Sequence, residues 1–139
     1  MIVIDTNVLL RYLLCDDAAQ TEVAKSLIQG ADKVLITDVV LVETVWTLTG
    51  KKYQLDKSEL LFMLNLLFEE PNIVFENDYA VWCAVADFAN ASPVIINGKK
   101  KMAGFQDALI INRGKQQKNY SDAFSFDVAA EQLGFKVPT

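Results

Sequence analysis

The chain has 139 residues, of which 52 % are hydrophobic and 22 % charged, with a formal net charge of −5. That length fits one domain, residues 1–139, with a substantial buried core, and no apolar run reaches the roughly 18 residues of a membrane span. With no histidine and only Cys15 and Cys83 as cysteines, a Ser-His-Asp triad, a Cys-His pair, an imidazole-built zinc site and histidine-driven cleavage of RNA are all excluded.

Any hydrolysis must therefore rest on carboxylates, a metal or lysine. The acidic balance weakly disfavours nucleic acid. A site that collects acids around a metal, however, lowers the net charge without excluding a polyanionic substrate. Asp5 and Arg11 break the apolar N-terminus, which argues against a signal peptide and for a cytoplasmic protein with reduced thiols.

In chain order, residues 2–5 read as a buried strand, 7–14 as a short helix, and 17–29 as a second helix ended by Gly30. "KVLIT" (33–37) is a strand. Residues 38–49 form a helix that stops at Gly50. Asp56 to Glu59 resembles a capping box opening a helix over 57–70, which Pro71 stops. That helix is apolar on nearly every side, as expected of a buried helix or of one shared between a core and a dimer contact. "NIVFE" (72–76) is a third strand and 78–90 a helix. Residues 92–101 read as loop, with "VII" (94–96) ambiguous. Helix resumes over 104–117, "AFSF" (123–126) is a fourth strand followed by a short helix, and "FKV" (135–137) is a candidate fifth. Strands alternating with helices imply an α/β fold with a mainly parallel sheet of four to five strands, covered on both faces.

Four carboxylates stand out in apolar company. Asp5 and Asp127 each end a strand, in "VIDTN" and "FSFD", where ligands bind in open α/β sheets. Glu43, in "VVLVETVW", has Val39, Val40, Trp46 and Thr47 as helical neighbours. Asp107, in "GFQDALII", lies on the flank of an apolar face with Ile110 and Ile111. Each has a plainer reading. Asp5 and Asp127 would serve as helix caps, Glu43 as half of a buried ion pair, and Asp107 as a charge favouring the helix dipole. Asp87 is a second-rank candidate on an outward-looking face. Crowded carboxylates cannot all stay ionised unaided: either some protonate or a divalent cation sits among them. An all-oxygen site favours Mg²⁺ or Mn²⁺.

"VIDTNVLL", the Glu of "LVETVW", "FQDALI" and "FSFD" resemble, in order and spacing, the four acidic motifs of the PIN-domain family, most closely its small bacterial toxins of the VapC type. The resemblance covers essentially the whole chain. It implies a three-layer α/β/α sandwich and Mg²⁺- or Mn²⁺-dependent cleavage of single-stranded or structured RNA, often by a homodimer, with toxin members held inactive by an antitoxin protein whose tail occupies the active-site groove. Carried over by motif, the acidic site is Asp5, Glu43, Asp107 and Asp127, supported by Thr6, Asn7 and Ser125. Many members read "ADFxDALI", whereas this chain has Gly104 in place of the extra Asp. Ser125 replaces the commoner Thr, and "INRGKQQKNY" lacks the usual alanine-rich helix.

For phosphate contacts the candidates are Lys99, Lys100 and Lys101 in "GKKK", together with Arg11 and Arg113. Such residues hold a backbone without reading sequence, and a solvated surface cluster is the plainer alternative. Two other functions compete. An aspartyl phosphatase or phosphotransferase also starts with a strand-end Asp, but the haloacid dehalogenase type wants a second Asp where Asn7 stands. A catalytically inactive PIN-like binding module would use its acids only as caps.

Overall fold

The computed structural model describes residues 1–139. The chain divides into two compact units, Met1–Asp78 and Tyr79–Thr139.

The first unit runs β1 (Ile2–Val3), α1 (Thr6–Leu14), α2 (Ala18–Gly30), β2 (Val34–Ile36), α3 (Asp38–Thr49), α4 (Lys57–Glu69) and β3 (Ile73–Phe75). Its three strands form one parallel sheet in the order β1-β2-β3, with Ile2 opposite Val34 and Val34 opposite Ile73. Val34, Ile36, Ile73 and Phe75 are buried, as expected of strands inside a parallel sheet. Each helix starts on a side-chain cap. Asp5, Asp17, Thr37 and Asp56 accept from the backbone N–H of Val8, Gln20, Val40 and Glu59 respectively. Asp56 and Glu59 form the full capping box anticipated from their spacing, which satisfies two orphan donors at once.

The apolar helix α4 is not wholly buried. Leu60, Leu64 and Leu67 lie inside, whereas Phe62 is 63 % exposed. Helical geometry puts residues 60, 64 and 67 on one face, so Phe62 points away from that seam.

The second unit contains α5 (Asp78–Asn90, its first residue belonging to the first unit), β4 (Val94–Ile96), β5 (Lys99–Lys101), α6 (Phe105–Gly114), β6 (Ala123–Phe124), a 3-10 helix (Val128–Leu133) and β7 (Phe135–Lys136). Phe88 on α5 meets Phe105 on α6 edge-to-face, with ring centroids 6.2 Å apart. The 3-10 helix packs on both α6 and β7. It ends at Gly134, whose φ of 108° is open to glycine.

Two expectations change. Residues 92–101 are not loop: β4 and β5 form an antiparallel hairpin, with Val94 opposite Lys101 and Ile96 opposite Lys99. The cause is local. Asn97 and Gly98 have φ of 52° and 75°, the positive values that a tight two-residue hairpin turn requires.

A single sheet of four to five strands is also not what the backbone hydrogen bonds form. Every anticipated strand is present, but each is two or three residues long, and the ladders are three: β1-β2-β3, β4-β5 and β6-β7. The strands stop early because capping residues follow them at once. Asp5 and Thr37 turn the chain into α1 and α3. No helix is long and apolar enough to cross a membrane.

Candidate active site

In the first unit, Asp5 leaves β1 and caps α1, its Oδ1 accepting the Val8 N–H at 3.0 Å. The capping reading therefore holds, but it occupies one oxygen. A carboxylate has about four acceptor sites over its two oxygens, so capping fixes the group's direction and leaves the rest available. The next residue, Thr6, donates from Oγ1 to Oε1 of Glu43 at 3.0 Å. That bond joins the start of α1 to the second turn of α3 and restrains a glutamate that would otherwise sample many rotamers. The apolar neighbours of Glu43 do not bury it: Glu43 is exposed, and Val39 and Trp46 are 71 % and 59 % exposed.

Asn7 and Asp5 line a groove of about 380 Å³ between α1 and α2, together with Val8, Arg11, Val23 and Leu27. Arg11 is already engaged. Its guanidinium pairs with Asp16 at 2.9 Å and reaches the Tyr53 hydroxyl at 3.5 Å.

In the second unit, Asp107 sits in the first turn of α6, half-buried. Burial pushes its carboxyl above the usual carboxylate range. A backbone hydrogen bond from Gly104 pulls the other way, and the charge of Asp127 adds to the rise. The charge of Asp127 therefore reaches Asp107, and no basic side chain relieves it. Asp127 is held on two sides. Its Oδ1 accepts the Ala129 N–H at 3.0 Å, capping the 3-10 helix. Its own N–H donates to Oγ of Ser125 at 3.0 Å.

Asp87 has a structural task. Its Oδ2 accepts from Nδ2 of the buried Asn112 at 2.9 Å, and the same amide donates to the Ala108 carbonyl at 2.8 Å. Gln132 is not among the residues the sequence singles out. It accepts the Ser92 N–H at 2.8 Å and donates to the Ser92 carbonyl at 2.7 Å, so it ties the base of the hairpin to the 3-10 helix that Asp127 caps. No sequence signal marks Gln132 or Asn112, whereas the Asn97-Gly98 pair did signal the hairpin.

The donors fit a hard divalent cation in kind, all being carboxylate oxygens. No group of three or more His, Cys, Asp or Glu residues is placed to hold an ion by itself. Mg²⁺ keeps several waters and is commonly bound through one or two carboxylates plus substrate phosphates, so a pair such as Asp107 and Asp127 matches that demand. Phe124 and Phe126, flanking Ser125, are 60 % and 84 % exposed.

The PIN domain family model matches residues 2–132 of the chain, a span that takes in all four acids. No curated protein and no solved structure matches it.

Proposed function

The chain belongs to the PIN domain family, whose members are in general metal-dependent nucleases, and from that premise we propose that it is an Mg²⁺- or Mn²⁺-dependent endoribonuclease, the toxin of a toxin–antitoxin pair. The observation that carries this reading is the half-buried Asp107 in electrostatic contact with Asp127 and without a basic partner. An acid pair of this kind is stabilised when a cation joins it.

Asp5 and Asp107 are the firmest ligands in this reading. Glu43 and Asp127 complete the acidic set, directly or through water. Thr6 restrains Glu43, Ser125 and the Ala129 N–H aim Asp127, and Asn7 borders Asp5. When bound, the cation would supply a water of lowered pKa and a clamp for phosphoryl oxygens. Hydrolysis breaks the P–O3′ bond, so the products carry 5′-phosphate and 3′-hydroxyl ends. Lys99, Lys100, Lys101 and Arg113 offer phosphate contacts. Arg11 also faces the Asp5 groove, with its charge partly met by Asp16. The exposed Phe62 on α4 supports a protein contact, for which a second copy and an antitoxin protein are the proposed occupants.

The test is incubation of the pure protein with unstructured RNA, in Mn²⁺ or in chelator, with end-group analysis. Cleavage in Mn²⁺ alone with 3′-hydroxyl ends is expected, and cyclic phosphate ends would overturn the scheme. Absence of cleavage, with no metal-dependent rise in Tm, would favour an inactive binding module. For the toxin role, induced expression should arrest growth and Asp5→Asn should relieve it. Arrest that persists in that variant counts against the assignment.

A further inference from the structure

We propose that the second unit carries a track for single-stranded RNA, in which the β4–β5 hairpin grips the phosphates and Phe126, with Phe124, receives unpaired bases. The proposal rests on the ribonuclease reading for the identity of the polyanion. It goes beyond that reading in naming the device, a lysine hairpin with a stacking ring beside the acids, that would select the single-stranded form.

The hairpin is unusual in its cross-strand chemistry. Lys99, Lys100 and Lys101 stand opposite Ile96, Ile95 and Val94, so no acid faces them across the ladder. All three are exposed, and none is in an ion pair, whereas Arg11 holds Asp16 and Lys136 holds Asp122. Three adjacent ammonium groups repel one another. One charge is enough to keep an edge strand from pairing with another chain, so edge protection explains one lysine and not three consecutive ones. Alternation along the strand puts Lys99 and Lys101 on one face and Lys100 on the other, which presents positive charge around the whole ribbon.

An isolated two-stranded hairpin is marginal in water, yet this one is stapled at both ends. The Asn97-Gly98 turn closes its tip. At its base Gln132 holds both backbone groups of Ser92. The other strand leads through Ala103, which is buried, into the helix that carries Asp107. The clamp at Gln132 lies on the 3-10 helix that Asp127 caps. The charged ribbon is thus tied to the elements bearing the acid pair.

Charge alone would hold any polyanion. The two phenylalanines narrow the class. Phe126 is the most exposed of the chain's large apolar side chains and directly precedes Asp127. Phe124, two residues earlier at the end of β6, is exposed as well. Rings left in water beside a phosphate-handling site suit base stacking, which only unpaired bases offer.

Binding of the full-length protein to an unstructured RNA oligonucleotide, measured in chelator across a salt series, tests this without any need for cleavage. Each phosphate contact with a single strand contributes about 0.7 to the slope of log K against log salt. Replacing Lys99, Lys100 and Lys101 by Gln should therefore lower the slope by about 2, which is about 100-fold less affinity lost per tenfold rise in salt. The triple Lys→Arg protein should keep the slope, and so should Lys25→Gln with Lys33→Gln in the first unit. Phe126→Leu should weaken single-strand binding about fivefold or more and leave duplex binding unchanged. An unchanged slope in the triple Lys→Gln protein, or an equal fall in the Lys25/Lys33 control, overturns the hairpin grip. Equal loss of single-strand and duplex binding in Phe126→Leu overturns the strandedness. Circular dichroism and Tm of each variant separate these outcomes from misfolding. RNA cleaved in Mn²⁺ by a protein with an unaltered slope sinks this inference alone, and a lowered slope without cleavage sinks the nuclease reading alone.

Discussion

The two units differ in charge as much as in architecture. Met1–Asp78 carries six basic residues against 13 acidic ones, and Tyr79–Thr139 carries seven against five. The first unit is a parallel sheet with capped helices, in which Thr6, the residue after Asp5, bonds Glu43. The second is built on short ladders, with a half-buried Asp107 under the charge of the exposed Asp127 and a hairpin of unpaired lysines. The chain-wide net charge of −5 averages a strongly acidic half with a slightly basic one. A polyanion responds to the local field, which is screened within about 10 Å at 0.1 M salt, so the average is a poor guide to what each surface attracts.

The sharpest way to break the comparison is at the acids. Asp107→Asn should lower Mn²⁺-dependent RNA cleavage at least about 100-fold, more than the 10–100-fold typical of groups that only support a ligand. The measurement is the single-turnover rate, and a rate within a few-fold of wild type would remove Asp107 from the site. In the first unit Thr6→Val takes away the hydrogen bond to Glu43 while nearly keeping shape. It should cost about 10-fold in the same assay. If Thr6→Val proves as damaging as Asp107→Asn, the contrast between a ligand and its restraint is wrong.

Smaller effects probe stability. Gln132→Ala frees the hairpin base and should lower unfolding free energy by about 1 kcal/mol, read from urea denaturation. Hydrogen exchange should quicken at Ser92. Unchanged exchange there would show that the hairpin does not depend on the clamp.

The smallest effect is a pH dependence. The folded-state pKa of Asp107 lies above its unfolded value, so the folded protein binds more protons in the intervening window. The stabilisation is complete below the unfolded pKa and is lost as pH rises through the folded one. In chelator, Asp107→Asn should therefore gain in Tm relative to wild type on going from acid to neutral pH. A gap that stays constant or runs the other way would mean that burial does not penalise the carboxylate.

Much of this could be read from the residues. The helices over 38–49 and 78–90 fall where periodicity and breakers put them, and the Asp56–Glu59 capping box forms as its spacing implies. The strands were legible in position but not in length or in pairing, because a strand's partners are chosen by distant segments. The hairpin is legible in Asn97-Gly98, whereas "KKK" does not resemble a strand. Its β propensity is poor, and the turn overrides it. Asp5 and Asp127 were readable both as caps and as site acids, and the caps are present.

By itself, then, the sequence determined whatever depends on neighbours within one or two turns: caps, helix ends, the tight turn, the exclusion of histidine chemistry, and the order of the acidic motifs. Only the tertiary structure decided which acids are restrained and by what. The Thr6–Glu43 bond spans 37 residues and the Gln132–Ser92 clamp 40, and the rise at Asp107 depends on burial and on the through-space charge of Asp127. Hydrogen bonds and electrostatic fields act over a few ångströms, and a chain's linear order does not specify which distant residues folding brings within that range.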